Sequence, residues 1–300
     1  MADRRIVLVT GATGAQGGSV ARHLLALGQY TVRCLTRHPE SEKASALRAA
    51  GAQVVGGDLD NVPSLVAALR GVWGVFGVTN FWEHFDKERQ QGTNLIDAVS
   101  QAGVRYFVYS SLPPAGRISG LSVPHFDIKA DLEAEARRRN LPCAFTHVAF
   151  YYENFIAFLP PRKQPDGSYL VSFPQGDTRL AAVGVEDVGG VVAPMFARPS
   201  DFLGRTIGIV GDDRPPADYA AIMSRTLGVT VRYQHMPREQ FAALGFPGAD
   251  DLANMFDFNR LHLPNRRADL ELSRQLYPAM QSFEVWAAAN RQRLAQALGL

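Results

Sequence analysis

The chain has little of what marks a disulfide scaffold, a metal centre or a membrane span. Only two of its 300 residues are cysteine, Cys34 and Cys143, each in an apolar, strand-like run. They read as buried free thiols, because a disulfide framework needs several half-cystines at set spacings. No apolar run approaches the roughly 18 residues of a spanning helix, and no secretory leader precedes the first apolar run, so a soluble, cytoplasmic protein with no membrane partner is expected. Seven histidines are scattered with no short-spaced ligand cluster, so no metal site is expected. The formal charge of +2 lacks the positive field of a nucleic-acid binder, and no direct nucleic-acid contact is expected. Repeats and low-complexity stretches are absent. The length and the 46% apolar fraction suit one large core, or one core with a small lobe.

What is present is concentrated in the first forty residues. The apolar run 6–9 is followed by Thr10-Gly11-Ala12-Thr13-Gly14-Ala15-Gln16-Gly17-Gly18, and then by a segment with Val20, Leu24 and Leu27 on one helical face. Strand, glycine turn and helix, with a second apolar run at 30–35, form the opening unit of a dinucleotide-binding sheet. Gly11 permits the tight turn, Gly14 lets the backbone approach a diphosphate, and Gly17 lets the helix pack on the strand. Thr13, Ala15 and Gln16 complete the turn, whose free N–H groups face the anion. Further strands are expected at 53–58, 72–78, 106–109 and 144–148. Helices at 39–50, 62–69, 87–101 and 126–140 alternate with them, the last with a heavily charged outer face. This rhythm predicts an α/β, Rossmann-type parallel sheet with helices on both faces.

After residue 148 the rhythm changes. Asp166-Gly167 suggests a turn between short extended pieces. The segments 206–210 and 229–235 suggest strands. Helices are expected at 152–158, 185–197, 216–227, 238–244, 250–259, 268–276 and 282–298. The reading is a dinucleotide-binding domain over 1–150 and a smaller, mostly helical α/β C-terminal lobe over 151–300, partly interleaved with the first.

The end of the second strand bears on which dinucleotide would bind. An NAD site places a carboxylate there for the ribose diol. This chain has Arg37 instead, with Thr36 and His38 beside it and Lys43 nearby. A guanidinium offers paired charge-assisted donors to a 2′-phosphate, so NADP or NADPH is the expected cofactor. Asp58 and Leu59, after the third strand, are expected along the adenine. Thr79 and Asn80, after the fourth, should pass near the ribose and diphosphate.

The turn Gly11 to Val20, Thr36-Arg37, Gly57-Asp58, Val78-Thr79-Asn80-Phe81-Trp82, Tyr109-Ser110-Ser111, His125-Phe126-Asp127-Ile128-Lys129 and Tyr152-Glu153-Asn154-Phe155 together resemble the NmrA-like family of the atypical short-chain dehydrogenase/reductase superfamily. Segment 247–256, Pro-Gly-Ala-Asp-Asp-Leu-Ala-Asn-Met-Phe, resembles the redox-sensing branch of that family found in animals. The resemblance implies NADP(H) binding and a regulatory role through protein partners, with a homodimer among the assemblies it allows. An active reductase of the superfamily uses Ser, Tyr and a Lys four residues after the Tyr. Here Ser111 and Lys129 take the outer places and His125 takes that of the tyrosine, which removes the standard carbonyl-reduction acid. Lys129 is still expected to bridge to ribose hydroxyls, and Tyr152, Asn154 and Phe155 to shape the nicotinamide pocket. The leading expectation is a redox sensor with little turnover. The alternatives are an NADPH-dependent reductase of quinones or other small electrophiles, with His125 as a substitute acid, and an interaction protein whose nucleotide is a fixed prop.

Overall fold

The structure, a computed structural model, describes residues 4–83 and 85–300. It comprises two compact units. The first holds the residues up to Pro114, His125–Val148 and Glu186–Gly208; the second holds Ala115–Pro124, Ala149–Val185 and Ile209–Leu300. The chain thus leaves the first unit at Ala115 and again at Ala149, returning each time.

The first unit is built on β1 (Ile6–Val9), β2 (Thr31–Thr36), β3 (Gln53–Gly56), β4 (Val72–Gly77), β5 (Tyr106–Ser111) and β6 (Cys143–Val148), with the strand Thr206–Ile209 at the far edge. Across the sheet the order is Thr206–Ile209, β6, β5, β4, β1, β2, β3, and every neighbouring pair from β6 to β3 is parallel. Parallel neighbours require crossovers, supplied here by α1 (Ala15–Leu27), α2 (Glu42–Ala49), α3 (Val62–Ala68), α4 (Glu88–Gln101) and α6 (Pro124–Arg138). Leu8, Leu35, Leu65, Val75, Leu95, Ile96, Phe107 and Phe145 join in one buried cluster between strands and helices. Cys34 and Cys143 are buried free thiols, and burial pushes them up to about 12 and about 11, so neither is a thiolate at neutral pH.

Local chemistry sets the helix boundaries. Ser41 caps α2 by accepting from Ala44 N, and Asn61 caps α3 by accepting from Ser64 N. Gly28 ends α1 in the left-handed region. α1 begins at Ala15, earlier than its apolar periodicity shows, because Gln16-Gly17-Gly18 carries no hydrophobic pattern. A short helix, α5 (Ala115–Ser119), lies within the Pro/Gly-rich stretch after β5.

The second unit contains two three-stranded sheets. In one, Leu180–Val183 lies between Asp212–Arg214 and Phe150–Tyr151; in the other, Tyr169–Phe173 lies between Val231–His235 and Arg162–Lys163. The Asp166-Gly167 turn joins Arg162–Lys163 to Tyr169–Phe173, with Asp166 Oδ1 accepting from Ser168 N. The expected helix over 282–298 divides at Asn290 into Phe283–Ala289 and Arg291–Leu298. Among the described residues, no helix is long and apolar enough to cross a membrane, and no group of three potential ligands could hold a metal ion.

The charged face of α6 is partly consumed within the first unit. Glu133 accepts from Arg137 Nη2 at 2.8 Å and from Thr206 Oγ1 at 3.0 Å, and its other oxygen lies 3.1 Å from His147 Nε2. The Arg137 guanidinium stacks on Phe145 and donates to Gly204 O. Burial alone would raise the Glu133 carboxyl, but hydrogen bonds from His147 and Arg137 hold it down at about 2. A carboxyl held below its unfolded value contributes stability above that value and loses it as pH falls toward the folded one. Glu133→Gln is therefore expected to destabilise the protein at pH 7 by on the order of 1–3 kcal/mol. Chemical denaturation should show the deficit narrowing as pH falls from about 4.5 to about 2. A deficit that stays constant with pH would assign the effect to shape rather than charge.

Candidate functional site

The sheet order reverses between β1 and β4, which leaves a crevice at the carboxyl ends of these strands. One side chain joins the two ends. Thr10 Oγ1 donates to Val78 O at 3.0 Å and accepts from Val78 N at 2.8 Å, so the residues following both strands are tied together. Gly11 then turns with φ +59, and a Cβ there would lie 2.8 Å from Val78 Cγ1. Gly14 N donates back to Gly11 O at 2.9 Å and precedes the first residue of α1. A Cβ on Gly17 would stand 2.4 Å from the carbonyl oxygens of both Thr10 and Gly11, so only glycine lets the helix sit this close to the strand end. The start of α1 has no side-chain cap and no acidic residue in its first turn. Gly11, Gly14 and Ala15 are exposed, Thr13 is half-buried, and Gln16 and Gly17 are buried. An uncapped, unscreened helix N-terminus behind an open turn can receive an anion.

Arg37 directly follows β2 and is half-exposed. It forms an ion pair with Glu83, whose other oxygen accepts from Asn80 Nδ2 at 3.3 Å. That bond raises the guanidinium's pKa, with further contributions from the Glu83, Asp58 and Asp60 charges. Asp58 Oδ1 accepts from Asp60 N in a local turn. Leu59 packs its side chain on the core cluster, and its carbonyl accepts from Asn94 Nδ2. Gly57 N donates to Thr36 O, which sets the ends of β2 and β3 side by side.

Beyond β4, Thr79 is buried and Asn80 exposed. α6 places His125 and Lys129 one helical turn apart, while Ser111 ends β5. Lys129 Nζ donates to Thr79 O at 3.1 Å, to Thr79 Oγ1 at 3.0 Å and to Glu88 Oε1. Three acceptors thus match its three donors, and the amine points inward. Thr79 gives its own hydroxyl proton to Glu88 at 2.6 Å and lies 3.3 Å from the Tyr109 hydroxyl, which must be the donor in that contact. Burial first, then the Glu88 charge, pushes Tyr109 far above neutrality, so it remains a phenol. Glu88 is fully buried in the first turn of α4, and its second oxygen has no hydrogen-bond partner among the described residues.

Ser111 is equally committed. Its Oγ donates its one proton to Lys129 O at 3.0 Å. His125 is buried beneath three rings, with centroids 4.7 Å from Phe126, 5.0 Å from Trp82 and 5.8 Å from Phe81. Trp82 and Phe85 present about 40% of their surface to solvent next to it. His84 lies outside the described residues.

The first unit therefore brings together the glycine turn, Arg37, Asp58, Leu59, Thr79, Asn80, Ser111, His125 and Lys129. Tyr152, Asn154 and Phe155 belong to the second unit. Tyr152 and Phe155 are fully buried there against Phe283, and the Tyr152 hydroxyl donates to Gln281 O. Asn154 starts the helix Asn154–Ala157. Sequence reasoning missed Glu88, which looks like an ordinary acid in a helix first turn, and Glu83, which reads as a plain loop acid after the 78–82 motif.

The Lys129–Glu88 pair makes a stability prediction. Lys129→Ala leaves a buried carboxylate without its cation, at an expected cost of about 3–5 kcal/mol. Adding Glu88→Gln should return part of that loss in urea denaturation, because no charge is then stranded. Strictly additive single and double variants would mean that the two groups are uncoupled.

FrzB, an NmrA-like family domain-containing oxidoreductase of Cladobotryum sp, is 32% identical over 281 residues, covering 85% of this chain and 84% of FrzB. NmrA, a negative transcriptional regulator solved in complex with NADP, superposes with a TM-score of 0.84 at 23% identity over 98% of both chains. The NADPH-dependent quinone oxidoreductase QOR2 of Escherichia coli, solved with NADPH, superposes with a TM-score of 0.79 at 24% identity, covering 96% of this chain and 99% of QOR2. The two structural likenesses establish a shared fold. The model of the NmrA-like family matches residues 3–286, nearly the whole sequence, and the chain belongs to the NmrA-like family.

Proposed function

We propose that the first unit binds NADP(H) and that the protein acts as a redox-responsive regulator with little turnover of its own. The uncapped start of α1 behind the exposed glycine turn supports binding of a diphosphate there. Gly11, Thr13, Gly14, Ala15, Gln16 and Gly17 would hold that group, Asp58 and Leu59 would line the adenine, and Thr79 and Asn80 would border the ribose. Arg37 would take the 2′-phosphate, which a neutral or acidic residue at that place would not. NmrA and QOR2 were both solved with a dinucleotide carrying this phosphate. The bound nicotinamide would supply the hydride chemistry, and this chain's contribution is to orient it and exclude water.

The observation that carries the regulatory reading is the state of the Ser–His–Lys set. The Ser111 hydroxyl proton is spent on Lys129 O, and the Lys129 amine on Thr79 and Glu88. No phenol stands at residue 125. A reductase reading is favoured by one feature, the aromatic wall of Phe81, Trp82 and Phe126 around the His125 imidazole, which suits a planar acceptor needing little protein acid. FrzB's designation as an oxidoreductase also favours it. A protein partner or a second copy would read out the regulatory state.

Calorimetric titration with NADP, NADPH, NAD and NADH, followed by NADPH absorbance with a quinone panel, separates the two readings. The regulatory reading expects different affinities for the oxidised and reduced forms without turnover, because a ligand with equal affinity for both states of a protein shifts neither. Steady consumption of NADPH would make the protein a reductase. Arg37→Ala is expected to weaken NADP by about tenfold or more while sparing NAD, in line with a lost charge-assisted hydrogen bond. Equal losses would remove Arg37 from the 2′-phosphate role.

A further inference from the structure

The Arg37 guanidinium does not face solvent with an open fork. Glu83 is ion-paired to its Nη2, and the Asp58 and Asp60 carboxylates add to the field at the same cation. Glu83 is also not a freely roaming surface acid. Its second oxygen is held by Asn80 Nδ2 at 3.3 Å. The residue before Asn80 is Thr79, whose carbonyl and hydroxyl are fixed by the buried Lys129 amine. The carboxylate is thus presented to Arg37 from an anchored backbone. Lys87 pairs with Asp60 at 3.3 Å.

A phosphate monoester carries close to two negative charges at neutral pH and seeks the same fork geometry as a carboxylate. At Arg37 it would meet a cation already claimed by one carboxylate and overlooked by two more. A ribose 2′-hydroxyl carries no charge and can leave the Arg37–Glu83 pair in place. It can even donate to a carboxylate, as it does in sites that select NAD. We propose that Glu83 is a specificity-determining residue, competing with the adenosine 2′-phosphate for Arg37 so that binding of the phosphate must displace it. The inference rests on the NADP(H) reading above. It adds that the 2′-phosphate preference of this chain is set by a pair, Arg37 for and Glu83 against, rather than by Arg37 alone.

The test uses 2′,5′-ADP and 5′-ADP as probes. These differ in where the second phosphate sits, and only the first places it on the ribose 2′ oxygen. Calorimetry on the full chain would compare the wild type with Glu83→Gln, Arg37→Ala and the double variant. Both side chains are about 45% exposed, so the competition is screened by solvent and the expected gain is moderate. Glu83→Gln should tighten 2′,5′-ADP by about 3- to 10-fold, leave 5′-ADP unchanged, and lose its advantage as salt rises. In the Arg37→Ala background the same substitution should change nothing. Three results overturn the proposal alone, provided Arg37→Ala still selectively weakens 2′,5′-ADP: no gain in Glu83→Gln, an equal gain for both nucleotides, or a gain that persists without Arg37. If Arg37→Ala weakens both probes equally, or the wild type binds neither, the NADP(H) reading fails and the proposal falls with it. Thermal melts would verify that each surface variant is folded.

Discussion

The reciprocal hydrogen bonds between Thr10 and the Val78 backbone hold the first unit's crevice in shape. β1 and β4 are neighbours in the sheet but far apart in sequence, and their ends would otherwise splay as the strand order reverses. With Thr10 as a clip, Gly11 is pressed over Val78, and its missing side chain becomes a geometric requirement. The turn then delivers Gly17 onto the carbonyls of Thr10 and Gly11 and aims the start of α1 along the crevice. The same clip fixes where the chain leaves β4, and so the positions of Thr79, Asn80 and Glu83.

From that exit point a second constraint begins. Thr79 is the hub of a buried polar group in which Lys129, Glu88 and Tyr109 all converge on one hydroxyl. The proton count leaves a single consistent arrangement, with Thr79 donating to Glu88 and accepting from the other two. A buried ion pair is weak evidence for net stability, because desolvation offsets much of the Coulomb attraction. Its value here is positional. It draws the Lys129 amine into the unit, against Thr79 and Glu88. Ser111 is similarly drawn onto α6, where its hydroxyl donates to Lys129 O. These bonds hold α4, α6 and the end of β5 together.

At the other end of the crevice, charge rather than packing governs. Arg37 is surrounded by acids on exposed turns, so its pairing is screened, labile and open to exchange with an anionic ligand. The buried group around Thr79 is thus held from several sides, while the rim pairing at Arg37 is exchangeable.

Much of this was legible in the amino-acid order. Alternating apolar runs and amphipathic segments define the parallel sheet, because strands buried on both faces need continuous apolar sequence. The glycine turn is readable because Gly11 and Gly17 occupy positions that no side chain could share. Arg37 at a strand tip is a chemical statement that needs no coordinates. The early start of α1 and the division of the last helix at Asn290 were not legible, since Gln16-Gly17-Gly18 has no apolar period and Asn290 interrupts a pattern that continues on both sides. Nor could Glu88 be told from any acid in a helix first turn, or Glu83 from any loop acid. What distinguishes them is burial against Lys129 in one case and pairing with Arg37 in the other. Sequence by itself determined the family of fold and the kind of ligand its turn can receive, because these depend on local periodicity and on sterics at single residues. Tertiary structure alone decided which charges meet, because an ion pair between residues 41 or 46 positions apart depends on where the sheet carries them.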